Sequence, residues 1–181
     1  ERARARSSLT LAVLRDVSAS MQGPVAHWCG RLVCALVDAA RVRRWRVGYV
    51  EFHDGAERHL FEGRLFHDRY AALRALAARA RAQGRTNYQA PLRALLDHTT
   101  GAERGGHAVL VTDGIPVVGD PTIVRERGEL RARGWRLHTV FVGLGETPAI
   151  LHQLAHETGG TCARVLPGPG GGFALTAERV R

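Results

Sequence analysis

The chain has 181 residues, 45% hydrophobic and 24% charged, the balance of one ordinary globular domain able to bury a core. Its formal net charge is +9, and all 26 basic positions are arginine. No apolar run is long enough to span a bilayer, and Glu1–Arg6 has no apolar centre of a secretory signal.

Taken in chain order, strand-like and helix-like patterns alternate. Leu9–Leu14 is a short apolar run expected to form a strand buried on both faces. Val25, Trp28, Leu32, Val33, Leu36, Val37 and Ala40 then recur at helical spacing. Arg46–Phe52 reads as a second strand, His53-Asp54-Gly55 as a turn, and Arg58–Phe61 as a third, shorter strand. Asp68 is the expected cap of a helix reaching about Gln83, with Gly84 as its stop. A further helix is predicted over Gln89–His98, with Pro91 in its first turn.

Ala108–Val111 is the most apolar strand of the chain. Asp120 is read as the cap of the next helix, with Pro121 in its first position. Leu137–Val142 follows as a strand, Thr147–Glu157 as a helix ended by Gly159-Gly160, and Cys162–Leu166 as a last strand. This order predicts a mostly parallel sheet covered on both faces. Such sheets hold ligands beyond the carboxyl ends of their strands.

Three polar clusters fall at that edge: Asp16-Val-Ser18-Ala-Ser20, Gly84-Arg85-Thr86-Asn87 and Thr112-Asp113-Gly114. In an extended segment, residues two apart point the same way, so Asp16, Ser18 and Ser20 can converge on one point. With Thr86 and Asp113 they offer two carboxylates and three hydroxyls, hard oxygen donors of the kind Mg²⁺ takes.

These motifs, in this order and on these elements, resemble the metal-ion-dependent adhesion site of von Willebrand factor type A (VWA) domains. Leu137–Gly143 is similar to that family's next strand, and Leu154–Gly160 to its last helix and turn. The resemblance implies an α/β, Rossmann-like doubly wound sheet, mostly parallel, with helices on both faces and one short antiparallel edge strand. It implies a VWA domain over 9–166, with 1–8 a linker or N-terminal extension and 167–181 a Gly/Pro-rich linker and tail.

The resemblance also implies roles. Ser18, Ser20 and Thr86 would bind Mg²⁺ (or Mn²⁺ or Ca²⁺) through their hydroxyls, and Asp16 and Asp113 would act mainly through metal-bound waters. The remaining position would receive an Asp or Glu carboxylate from a protein partner. Ala19 and Arg85 stand where the family more often has glycine. Arg15 and Arg85 would place cations near the site, and with His53 and Asp54 they form the candidate partner-binding set.

The expected function is therefore a non-enzymatic, metal-dependent protein-binding module. Its character is similar to intracellular bacterial-type VWA proteins that act as adaptors for MoxR-type AAA+ ATPases, and such an ATPase is an expected partner.

Two alternatives belong to other classes: an arginine-rich nucleic-acid binder, and a Mg²⁺-dependent phosphoryl-transfer enzyme using Asp16. The arginines bring no nucleic-acid motif with them, and Ser18 stands where an aspartate-nucleophile phosphatase resembles Asp-x-Asp. Cys29, Cys34 and Cys162 are odd in number and lack zinc-knuckle spacing, so reduced, buried thiols in a cytoplasmic protein are expected. His152 and His156, four apart on one helix, read as solvated or partly buried histidines rather than a zinc pair. Trp28, Trp45 and Trp135 read as core.

Overall fold

A computed structural model describes residues 9–99, 105–167 and 173–178. The expected N-terminal extension and most of the Gly/Pro-rich linker lie outside these residues. The strands are β1 (Thr10–Asp16), β2 (Arg46–Phe52), β3 (Ala56–Arg58), β4 (Gly106–Thr112), β5 (Trp135–Val142), β6 (Cys162–Pro167) and β7 (Phe173–Glu178). The helices are α1 (Pro24–Val42), α2 (Tyr70–Arg79), α3 (Gln89–Asp97), α4 (Val124–Ala132) and α5 (Ala149–Thr158).

The strands form one sheet in the order β3-β2-β1-β4-β5-β6-β7. The inner pairs β1–β2, β1–β4, β4–β5 and β5–β6 are parallel, while β3 and β7 run antiparallel at the two edges. The expected single antiparallel edge strand is thus one of two. The second, β7, lies in the stretch read as a tail, and it pairs residue for residue with β6 from Cys162↔Glu178 to Pro167↔Phe173. Phe-Ala-Leu-Thr-Ala-Glu carries a weak strand pattern, and only the free edge of β6 gives it a partner.

Because side chains alternate along a strand, β1 splits its residues between two cores. Leu11 and Val13 pack with Cys29, Val33, Val37, Leu73 and Ala77 of α1 and α2. Ala12 and Leu14 face the opposite side with Leu92, Leu95, Leu130, Leu151 and Leu154 of α3, α4 and α5. Trp135 is buried in this second core, and Trp28 and Trp45 pack at the margin of the first.

Several boundaries differ from the sequence-based expectation, and three of them do so for a clear local reason. β3 begins at Ala56 rather than Arg58 because the turn is tight: His53 N–H donates to Gly55 O at 2.9 Å, so Phe52 already pairs with Ala56. α2 begins at Tyr70, with Arg69 and not Asp68 in the cap position, and ends at Arg79. The residues beyond its end leave helical geometry at Ala80 and become a strap against the β1–α1 loop. Asp120 does not cap α4, since its Oδ1 accepts from Thr122 N–H and Oγ1 instead. That local turn delays the helix to Val124 and leaves buried Ile123 in left-handed geometry at φ 42, a conformation disfavoured for a β-branched residue.

Candidate metal centre

β1 ends on Asp16, which is fully buried. Both carboxylate oxygens are engaged: Oδ1 accepts from Ser18 N–H at 2.7 Å and Oδ2 from Thr112 Oγ1 at 2.6 Å. Thr112 closes β4, so this bond ties together the carboxyl ends of two neighbouring strands. Asp16 and Thr112 follow the phase of Ala12, Leu14, Ala108 and Leu110 on the α3–α5 side.

Ser18 is the hub of the cluster. Its Oγ lies 3.2 Å from Ser20 Oγ and accepts from Thr86 Oγ1 at 3.1 Å. Ser20 Oγ in turn donates to Asp113 Oδ1 at 2.7 Å. All five residues expected at the site therefore join one hydrogen-bonded network assembled from three separate loops. Octahedral Mg²⁺ with oxygens at about 2.1 Å has adjacent ligands about 3.0 Å apart, so the separations of 3.2 and 3.1 Å from Ser18 Oγ to the Ser20 and Thr86 hydroxyls suit one shared cation. The donor set consists only of hard oxygens, as Mg²⁺ requires.

Gln83 and Tyr88, which carried no motif signal, help to hold these loops together with Gly84 and Asn87 of the second motif. The strap after α2 is bound to the first loop by Gln83 N–H to Val17 O at 2.7 Å and Ala19 N–H to Gly84 O at 3.0 Å. Gly84, at φ +68, lets the strap pass close to the β2–β3 turn, because a Cβ there would collide with the Asp54 carboxylate and the His53 ring. Thr86 O accepts from Val117 N–H and Val118 N–H at 3.0 and 3.2 Å. Asn87 Oδ1 accepts from Gln89 N–H and Ala90 N–H at the start of α3, while its Nδ2 donates to Asp54 O. Tyr88 OH donates to Gly114 O, fixing the residue beside Asp113.

The candidate partner-binding residues divide. Arg15 is not at the site: it is only 3% exposed, and its guanidinium donates to Ala77 O and Ala26 O, each at 2.7 Å. Alternation puts it on the α1–α2 side with Leu11 and Val13, opposite Asp16. Gly30 lies beside this pocket, where a Cβ would come 3.2 Å from Ala77 O, the carbonyl that Arg15 binds. Arg85, Asp54 and His53 do lie together beside the strap. Arg85 binds Asp54 through both its backbone N–H and Nε, at 2.8 Å each, and His53 Nδ1 is 3.7 Å from Asp54 Oδ2. Arg85 is therefore held by a carboxylate rather than aimed at the cluster.

Burial raises the pKa of both site carboxylates. For Asp16, desolvation is the largest influence and outweighs the bonds from Thr112 and Ser18, while the negative charge of Asp113 adds to it. Desolvation also leads at Asp113, opposed by the Ser20 hydroxyl. Two enclosed acids with raised pKa values form an environment that a cation would relieve. Around the same edge stand the exposed apolar side chains Ile115 and Val117, 67% and 68% exposed, and Leu144, 79% exposed.

Among the described residues no helix is long and apolar enough to cross a membrane. The three cysteines are free thiols, with Cys29 and Cys162 buried and Cys34 partly so.

Comparison with known proteins agrees with this architecture. A von Willebrand factor type A protein from Catenulispora acidiphila superposes with a TM-score of 0.70 at 19% identity, over 88% of this chain and 39% of that one. The chain thus spans well under half of that protein. A conserved hypothetical protein, BatB from Bacteroides thetaiotaomicron, gives 0.73 at 15% identity, covering 87% of this chain and 90% of that one. An aerotolerance-related membrane protein from Bacteroides fragilis gives 0.71 at 19% identity over 88% and 92%. No curated protein matches the sequence. A family profile, VWA domain containing CoxE-like protein, matches residues 1–143. The chain therefore belongs to the VWA domain containing CoxE-like protein family, within a class of generally non-enzymatic protein-interaction modules that often carry a divalent metal.

Proposed function

We propose that the chain is a metal-dependent protein-binding module in which Ser18, Ser20 and Thr86 hold Mg²⁺ through their hydroxyls. The observation that carries this reading is the single oxygen network joining them to Asp16 and Asp113. Asp16 braces the Ser18 loop, and Asp113 orients Ser20 and compensates the cation's charge. A metal with few directly bound negative charges remains electrophilic, so a carboxylate from outside completes its coordination. Ile115, Val117 and Leu144 supply apolar contact area around that point, as the core of a protein interface would. His53, Asp54 and Arg85 form one flank of the same docking surface.

The expected partner is a protein presenting Asp or Glu, and a MoxR-type AAA+ ATPase fits the family resemblance. Free, mostly buried thiols fit a cytoplasmic setting. Phosphoryl transfer through Asp16 is disfavoured by its complete burial and by the engagement of both its oxygens. A nucleic-acid role is disfavoured because Arg58, Arg74, Arg85, Arg93 and Arg125 are each paired with a carboxylate of the chain.

Titration of Mn²⁺ into metal-stripped protein, followed by acetate or a glutamate-containing peptide, tests the reading by water-proton relaxation. One Mn²⁺ site is expected, with bound water displaced by the carboxylate and both effects abolished by Asp113→Ala. Absence of Mn²⁺ binding, or binding unaltered by that substitution, would overturn it.

A further inference from the structure

A second cluster of metal-binding side chains lies away from the oxygen site. Cys162 opens β6, Glu178 closes β7 directly across the antiparallel register, and His152 reaches them from α5. One ligand atom from each lies within 4.8 Å of the other two. We propose that His152, Cys162 and Glu178 bind a Zn²⁺-type cation that clips the edge strand β7 to β6 and α5.

The spacing is that of a coordination shell. With Zn–N near 2.05 Å, Zn–O near 2.1 Å and Zn–S near 2.3 Å, tetrahedral geometry separates N from O by about 3.4 Å and S from O by about 3.6 Å. Here His152 Nε2 lies 3.3 Å from Glu178 Oε2, and Cys162 Sγ lies 3.8 Å from the same oxygen. The donor set of thiolate, imidazole and carboxylate matches the ligand types of zinc, and three protein ligands leave a fourth position for water.

The groups bind mainly one another, with Thr139 a further neighbour of the Cys162 thiol. Cys162 Sγ has a long 3.8 Å contact to the carboxylate, and His152 Nδ1 is enclosed without a hydrogen-bond partner. Burial favours the neutral thiol in the metal-free state. Binding therefore replaces the S–H bond by an S–metal bond and releases that proton to solvent. Among the described residues β7 pairs in the sheet only with β6, so a metal there would fasten the edge strand of the sheet. His156 is exposed and not part of the cluster, so the ligands that join His152 come from across the sheet edge rather than from its own helix.

Cobalt(II) titration tests this independently of the oxygen site, because only a thiolate ligand gives an S-to-Co charge-transfer band in the near ultraviolet. The Asp113→Asn protein is titrated with Co²⁺, then challenged with Zn²⁺. One equivalent of thiolate-bound, tetrahedral Co²⁺ is expected, displaced by Zn²⁺, lost in Cys162→Ser and retained in Cys29→Ser and Cys34→Ser. Glu178→Gln and His152→Ala should keep the band but weaken Co²⁺ binding by about tenfold or more. They carry the test should Cys162→Ser not fold. Absence of the band, its persistence in Cys162→Ser, or unchanged affinity in Glu178→Gln and His152→Ala would overturn the site.

Discussion

Asp113→Asn separates the charge of the proposed Mg²⁺ site from its scaffold. Asparagine keeps an oxygen that can accept from Ser20 Oγ, the 2.7 Å bond seen here, and removes one negative charge. A divalent cation and a carboxylate about 4 Å apart, bridged by water, attract by about 2 kcal/mol at bulk dielectric and about 8 kcal/mol at an effective value of 20. Asp113 is half-buried, so the lower part of that range applies, about 2–3 kcal/mol or a loss of about 30–150-fold in Mg²⁺ affinity.

At a Mg²⁺ concentration 100 times the wild-type Kd, binding stabilises the fold by about 2.7 kcal/mol. That corresponds to a rise in Tm of about 5–11 °C for a chain of this size. In the variant the rise should fall below about 4 °C at the same concentration. In EDTA the variant should melt no lower than wild type, because desolvation of the buried charge is gone. The assay is thermal denaturation with and without Mg²⁺, beside calorimetric titration. A full-sized Mg²⁺ shift in Asp113→Asn would refute the reasoning.

The raised pKa of Asp113 also fixes the sign of a pH effect. Its contribution to metal-free stability is fully present below the unfolded aspartate value of about 3.9 and is lost as pH rises through the higher folded value. In EDTA, the melting advantage of Asp113→Asn over wild type should therefore grow from acid towards neutral pH; a difference that shrinks over that range contradicts it. Arg15→Ala removes two charge-assisted bonds to Ala77 and Ala26 and should cost about 2–4 kcal/mol in urea denaturation, with Mg²⁺ affinity unaltered. A stability change below about 0.5 kcal/mol would show that this buried guanidinium is not structural. Tyr88→Phe loses the bond to Gly114 O and should cost about 1 kcal/mol together with a several-fold weaker Mg²⁺ titration. Ile115→Ser combined with Val117→Ser should leave Mg²⁺ affinity unchanged and reduce binding of an acidic protein partner; equal loss of both would mean that these side chains support the loop rather than the interface.

Much of the site is legible in the amino-acid order alone. Asp16, Ser18 and Ser20 lie at alternate positions after an apolar strand, and Asp113 follows the end of the most apolar one, whereas Thr86, in the loop between α2 and α3, is marked only by its Gly-x-Thr-Asn motif. The same alternation accounts for the placing of Arg15 away from the site: it shares the phase of Leu11 and Val13 and so had to face α1 and α2. Spacing along one strand determines which face a residue takes, because that is a local property of extended backbone.

Long-range partners are a different matter. Thr112 bonded to Asp16, Tyr88 to Gly114 and the Gln83–Gly84 strap against Val17 and Ala19 join residues far apart in the chain, and no local pattern encodes such pairings. The early end of α2 belongs with them: Ala80-Arg81-Ala82-Gln83 favour helix, and the tertiary hydrogen bonds of the strap outweigh that preference in a short segment. β7 and the His152–Cys162–Glu178 cluster depend on tertiary structure most of all. The apolar periodicity of the sequence determined the alternating elements, the two cores and the edge carrying the oxygen donors. The pairing of β7 with β6 was decided only when the sheet assembled, because a weak strand becomes a strand where another strand's unpaired backbone meets it.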